Sequence, residues 1–429
     1  MDAPKPTRSC RRDQPTTTTP QSRGARQICL PLDRATYDRI WDDAPAVRRL
    51  VARLLSRHPE LFPEAMTHRF TLCGKLPASK KLAGIRLRRV RITATDERGR
   101  ATSRDFFLRP SFVLPYCCGT VDAVAKGMLL LSHDVPYHVV AACCGRNAMA
   151  WYRLERSLGR NSVVGATVRD PRALPAHLAA DEHHARLRGE DAYVAVTAGG
   201  NCLLGIALSP TASEVDLTAA YGRFRAEAAG VSAAYTPATV NTDGWKPTQA
   251  AWRTLFPTVA VILCILHGFL KIRDRCRKAV ELHRQAWEVY RAATAPGFRA
   301  AMEAFRQWCA ARVWSGPIGE ALEKLWGHTE EYALSYSHPG CHRTSNAVDR
   351  PMNALYRSLY ADRTLHGHLE TAECRLRGWA LLRNFRPFEP QTRRRTGYQS
   401  AAHRLNKTKY HDDWLHNLYI SASLGGFRA

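Results

Sequence analysis

From about Asp33 to Leu61 apolar residues recur at helical spacing (Tyr37, Ile40, Trp41, Val47, Leu50, Val51, Leu54 and Leu55), which predicts an amphipathic helical stretch. Residues 68–72, 85–93 and 103–108 read as strands, the last two joined by the turn DERG at 96–99. Three helices follow, over 121–131, over 137–144, and from the Gly145-Arg146-Asn147 turn through Leu158. From Pro171 the pattern changes. Apolar runs at 174–180, 192–197 and 202–208, separated by turn residues, predict three consecutive strands. A helix over 215–228 shows Leu217, Ala220, Tyr221 and Phe224 on one face. A fourth strand stops at Asp243-Gly244, a helix covers 248–255, and 258–266 is a buried apolar strand. The order βββαβαβ predicts an α/β layer arrangement in which the first and fourth strands are neighbours. Residues 271–335 are helical with interleaved charges, and a further helix spans 347–360. No internal repeat is present.

The chain has 429 residues, enough for two or three domains with a large core. Hydrophobic content of 45% excludes wholesale disorder, although the Thr/Pro/Arg-rich first thirty or so residues are expected to be disordered. The longest apolar run, 258–270, is too short to cross a membrane and contains His267. The N-terminus lacks the apolar segment of a secretory signal, so a cytoplasmic protein is expected. The 13 cysteines include the tandem pairs Cys117-Cys118 and Cys143-Cys144 but no paired CxxC motifs, which predicts reduced thiols rather than a zinc site.

Charge changes the picture more. Sixty-three Lys+Arg against 38 Asp+Glu give a net charge of +25. The cations are 52 Arg and 11 Lys, a ratio that a GC-rich genome produces unaided. Such bias explains Arg in place of Lys, but not the shortage of acids, and a polyanionic partner does. The three helices between 120 and 160 have the spacing of a helix-turn-helix, with Arg146, Asn147, Arg153, Arg156 and Arg160 along the third as candidate DNA contacts. An ordinary three-helix unit with a solvated Arg face has the same pattern. Likewise RLRRVRIT at 86–93 alternates Arg with apolar residues, as a strand with one basic face does, whether it meets phosphate or only water.

Three acids occupy suggestive places. Asp181 follows the first α/β strand, Asp243 follows the fourth, and Asp349 lies early in the helix at 347–360. The predicted strand order brings Asp181 and Asp243 to adjacent strand ends, and a helix packed on that sheet can bring Asp349 across. Three carboxylates around hard divalent cations are what two-metal phosphoryl transfer requires. Singly, each acid has a simpler reading: a turn at Asp243-Gly244, a solvated loop at Asp181-Glu182, a first-turn helix acid at Asp349.

Residues 181–384 resemble the catalytic core of bacterial insertion-sequence transposases of the DDE/D class. The resemblance rests on ADEHH, YVAVT, CLLGIAL, TVNTDGWKPTQAAWRTLFP, VILCILHGFLKIRDR and TSNAVDRPMNALYR. Upstream, RPSFVLPY and WYRLERSLGRNSVVGATVR are similar to the DNA-binding part of such elements, and HRLNKTKYHDDWLHNLYISASL to their C-terminal segment. The resemblance implies a disordered basic N-terminus at 1–30 and a DNA-binding region at 31–165. It also implies an RNase H-like core at 171–390 with a helical insertion at 271–340, and a basic C-terminal tail at 391–429. It implies Asp181, Asp243 and Asp349 as ligands of two Mg²⁺ or Mn²⁺ ions, double-stranded DNA ends and target DNA as partners, and a homo-oligomer on DNA. Cys264-x-x-His267 resembles the C-x-x-H element of Mutator-type transposases, which would place His267 at the active site; a buried Cys beside a strand-end His is the simpler reading. The third acid departs from the family, which has N-x-x-E-R where this chain has Asn346-Ala347-Val348-Asp349-Arg350. Either Asp349 serves, or Glu330 or Glu331 replaces it, or the copy is inactive. The expected activity is metal-dependent 3′-strand cleavage and strand transfer. A transposase-derived DNA-binding protein without catalysis, or an RNase H-like nuclease without strand transfer, are the alternatives.

Overall fold

The computed structural model describes residues 26–67, 70–78, 82, 84–95, 101–115, 119–275, 280–314, 316–361 and 364–427. Residues 1–25, the DERG turn and Cys117-Cys118 lie outside that set. The described chain is a mixed α/β structure built on two mixed sheets.

The first sheet collects β1 (Gln27–Leu30), β2 (Phe70–Lys75), β3 (Arg88–Thr95) and β4 (Ala101–Pro110) in the order β1-β4-β3-β2. Strand β1 corrects the expectation of disorder through residue 30. Ile28, Cys29 and Leu30 are fully buried, and they run parallel to β4 with Ile28 opposite Leu108. Three consecutive buried side chains repay the entropy of ordering a strand. Two helices cover this sheet, α1 (Arg34–Ile40) and α2 (Ala44–Arg57), where the periodicity suggested one stretch. Asp43 makes the break: its side chain caps Ala46 N, and Pro45 stands in the first turn. The alternation on β3 holds only in part. Arg89 and Arg91 are exposed and pair with Asp105 of β4, but Arg88 is buried and donates to Trp41 O at 2.8 and 2.6 Å.

Helices α3 (Asp122–Ser132), α4 (Tyr137–Cys144) and α5 (Ala148–Leu158) fall close to their predicted bounds. Asn147 caps α5 by accepting from Ala150 N at 2.7 Å. The short α6 (Val163–Thr167) leads into the second sheet: β5 (His177–Leu187), β6 (Glu190–Gly199), β7 (Cys202–Ser209), β8 (Thr239–Thr242) and β9 (Ala260–Leu263). Their order is β7-β6-β5-β8-β9. Strands β5, β8 and β9 are mutually parallel and β6 is antiparallel to both its neighbours, so the first and fourth strands of this section are adjacent as predicted. Strand β5 is longer than its apolar run: polar residues 181–184 continue it because β6 pairs with them to the end. Strand β9 is shorter than predicted, and the chain turns at Cys264 into α9 (Ile265–Arg275).

The pleat of β5 sorts its side chains to two layers. Leu178 and Ala180 pack in one core with α7 (Glu214–Val231) and α8 (Lys246–Leu255). The helical insertion follows β9 and α9: α10 (Val280–Arg291), α11 (Ala295–Ala310), α12 (Gly316–Gly327) and α13 (Thr329–Ala333), with its own apolar cluster around Phe298, Phe305 and Leu322. On the other face of β5, Ala179 and Ala185 pack against α14 (Asn346–Ala361) and α15 (Leu369–Phe385).

The C-terminal segment is not a loose tail. Helices α16 (Pro390–Thr396), α17 (Ala401–Asn406) and α18 (Trp414–Ser421) follow α15. Leu415, Leu418 and Tyr419 join the core of α3–α5, and Ile420 and Leu424 complete the core of the first sheet. Among the described residues there, the Arg393–Arg395 stretch, Arg404 and Lys407 keep the exposed basic character expected. Among the described residues no helix is long and apolar enough to cross a membrane.

Candidate carboxylate site

Parallel register brings two of the acids level. Ala179 on β5 is opposite Asn241 on β8, so two residues further along each strand stand Asp181 and Asp243. Asp181 shares the β5 face of Ala179 and Ala185, the face that α14 covers. Asp243 lies just past the end of β8, where Gly244 takes a positive φ of 96° and Asp243 Oδ1 accepts from Trp245 N at 2.8 Å. Asp349 sits in the first turn of α14, which is anchored over β5 and β6 by Val348, Met352 and Leu355. Ser345 Oγ donates to its Oδ2 at 2.8 Å.

Asp181 feels the charges of the other two acids. Burial first, then the charges of Asp243 and Asp349, push Asp181 up to about 6 against the pull of the Glu182 backbone N–H and of His267. Hard carboxylate oxygens are the donor type that a divalent cation such as Mg²⁺ or Mn²⁺ takes. Asn241 Oδ1 and Thr242 Oγ1, on the two residues before Asp243, are also buried without a hydrogen-bond partner. Among the described residues no three acidic, His or Cys side chains already stand in metal-ligand geometry.

The C-x-x-H pair is placed differently from the expectation. His267 stands in the first turn of α9 rather than on a strand, because the backbone turns directly after Leu263. The i, i+3 spacing across that turn then brings His267 back to Cys264. Ser345 links the pair to the acids: its backbone N–H donates to Cys264 Sγ at 3.2 Å, and its hydroxyl lies 3.3 Å from that sulfur and 3.4 Å from His267 Nδ1. The hydrogen bond to Cys264 raises His267 to about 9 in spite of burial, helped by the negative charges of Cys264, Asp349 and Asp243. Burial opposes ionisation of Cys264, yet hydrogen bonds from His267 and Ser345 outweigh it and bring its pKa down. An imidazolium thus stands beside the acid cluster.

Glu182, which read as a solvated loop residue, points the opposite way from Asp181. Its Oε1 accepts from Tyr221 Oη at 2.5 Å on α7 and from Thr248 Oγ1 at 2.6 Å on α8. Burial raises it to about 7. The alternative third acids do not join the cluster: Glu330 is exposed and held by Arg299 at 2.7 Å, and Glu331 is exposed beside His328. Sequence reasoning missed Ser345 and Glu182. The sole signal for Ser345 is its position four residues before Asp349, the spacing of one helical turn.

The basic helix α5 presents Arg153 to solvent and the turn just past its end presents Arg160, with Arg156 half-buried against Tyr152. Arg146 is exposed at the turn before it, 6.0 Å from the Trp151 ring, and Asn147 is engaged as the cap. The opposite face of α5 is locked to α15 at very close range: a Cβ added to Gly378 would lie 2.2 Å from Glu155 O, and one added to Gly159 would lie 1.7 Å from Cys374 O. The candidate DNA helix is therefore braced against the same helix, α15, that packs on the carboxylate sheet. No protein family's sequence profile matches this chain, and no curated protein matches it.

Proposed function

We propose that the chain is a DNA transposase of the DDE/D class with an RNase H-like core, cleaving the 3′ strand at element ends and transferring the freed end to target DNA. The observation that carries this reading is the placement of Asp181 and Asp243 at neighbouring parallel strand ends, with Asp349 on the helix that packs over the same face, in a protein of net charge +25. The order β7-β6-β5-β8-β9, with a helical insertion between the second and third acids, supports it. Mg²⁺ or Mn²⁺ held by the three carboxylates would supply Lewis acidity toward the phosphate oxygens.

The chain's own residues orient those carboxylates. Trp245 N–H fixes Asp243, Ser345 Oγ fixes Asp349, and the Glu182 N–H fixes Asp181 Oδ1 at 2.9 Å. Protonated His267 offsets part of the cluster's negative charge, which favours approach of a DNA phosphate. In the first step water attacks the phosphorus and the 3′ oxygen leaves with the proton balance made by solvent. In the second that 3′-hydroxyl attacks a target phosphate and displaces its 3′ oxygen, so both steps are one displacement with different nucleophiles. Exposed Arg153 on α5 and Arg160 just past its end hold the DNA backbone.

The test uses DNA carrying the sequences that flank the gene on both sides. Metal-dependent 3′ nicks followed by joined products support the reading; nicks without joining leave a nuclease, and binding without nicks leaves a DNA-binding protein.

A further inference from the structure

Beyond Asp181 the same face of β5 carries His183, and α14 runs alongside it from Asp349 to Tyr356 and Tyr360. At 1.5 Å per helical residue and about 3.3 Å per strand residue, Tyr356 and His183 are roughly 10 and 7 Å further along their elements than the acids. There they meet: the His183 and Tyr356 rings touch edge to face with centroids 5.8 Å apart. Tyr356 and Tyr360, one turn apart, lie 6.4 Å apart with planes inclined by only 28°. Both are exposed, by 56% and 78%, so two large rings are held face-parallel in water.

They line a groove of about 740 Å³ with His183, His184 and Arg186. The exposed cations Arg350 and Arg357 stand on the same helix. The nearest acid on β6, Asp191, is shared between His184 and Arg186 at 3.2 and 3.8 Å and is itself largely exposed. Leu365 N–H donates to Arg186 O at 3.1 Å, which ties the segment after α14 to the strand that lines the groove. A second cavity of about 440 Å³ shares Thr364 with the first and is lined beyond it by Met149 and Tyr152 of α5. The two cavities meet at Thr364, between the candidate DNA helix and the groove beside β5.

We propose that Tyr356, Tyr360 and His183 form a stacking site for unpaired DNA bases next to the cleaved phosphate, an inference that rests on the DNA-transposase reading. The chemistry fits nucleobases: flat aromatic rings with parallel faces accept any base, and flanking Arg side chains neutralise the backbone that connects them. Bases that unpair at a cleaved end lose their stacking partners, and an aromatic surface replaces them better than water does. The groove offers that surface beside the acids. Each stacked base strengthens binding by about tenfold.

The test uses the full chain without divalent cation, and a duplex with an unpaired tail containing the fluorescent adenine analogue 2-aminopurine. Wild type and a Tyr356→Phe/Tyr360→Phe variant are expected to quench the fluorophore, because stacking needs the ring and not the hydroxyl. In Tyr356→Ala/Tyr360→Ala the quench is lost and affinity for the tailed duplex falls by about tenfold or more, with blunt-duplex affinity and thermal midpoint unchanged. Quenching that survives the Ala substitutions, a Phe variant that behaves like the Ala one, or an equal loss on blunt duplex overturns the stacking site and leaves DNA binding standing. A wild-type chain that binds neither duplex overturns the DNA reading itself.

Discussion

Glu182 gives a prediction that reads the sheet register directly. Its carboxyl lies on the α7–α8 face of β5, sequestered with Tyr221 and Thr248, and burial with help from Asp181 and Asp243 raises it from 4.5 to about 7. A group that holds its proton more tightly when folded stabilises the fold fully below its unfolded pKa. That contribution is lost as pH rises through the folded value. The 2.5-unit difference between 4.5 and about 7 corresponds to roughly 3 kcal/mol lost between about pH 4.5 and pH 8. Glu182→Gln keeps the carbonyl acceptor for both hydroxyls and removes the titration. The assay compares thermal midpoints of the two proteins in EDTA from about pH 5 to pH 8. The variant is expected to gain on wild type by several degrees as pH rises, with little difference at the acid end. Two midpoint curves that run parallel across that range would refute the assignment of Glu182 as a buried, proton-holding carboxyl.

Further outcomes follow from the contacts. Ser345→Ala removes the hydroxyl that joins Asp349, His267 and Cys264, and is expected to lower strand cleavage by about tenfold while DNA affinity is unchanged, measured on pre-nicked and intact ends. Glu330→Gln and Glu331→Gln should leave cleavage within about twofold of wild type, since both side chains lie in exposed pairs with Arg299 and His328; loss of cleavage in either would move the third ligand away from Asp349. Gly378→Ala forces a Cβ to 2.2 Å from Glu155 O, so α5 must shift. Overpacking costs about 1–3 kcal/mol against about 1 kcal/mol gained in helix propensity, so a lowered thermal midpoint and weakened binding to element ends are expected.

Much of this arrangement was legible in the sequence, for identifiable reasons. Turn chemistry marked α3, α4 and α5, because Asn147 is a capping residue and Gly145 takes a positive φ of 68°. The βββαβ order implied the pairing of β5 with β8, and that pairing alone sets Asp181 level with Asp243. Where polar residues continue a strand or apolar ones begin a helix, periodicity misplaced the boundary. Asp181 through His184 are held in β5 by pairing with β6, and Ile265 opens α9 although the run from Val259 to Leu266 is uniformly apolar. Three features depend on tertiary contact and left no local pattern. Strand β1 is ordered by β4 some eighty residues away, α18 is buried between two cores, and Glu182 is paired from two separate helices.

The central claim is that Asp181, Asp243 and Asp349 act as one phosphoryl-transfer site distinct from the DNA-binding surface. Asp243→Asn tests it most directly, because the substitution keeps the acceptor for Trp245 N–H and removes only the charge. With DNA carrying the sequences that flank the gene and Mg²⁺ or Mn²⁺, the variant is expected to bind that DNA as wild type does and to yield neither 3′ nicks nor joined products. Normal cleavage by Asp243→Asn would contradict the account.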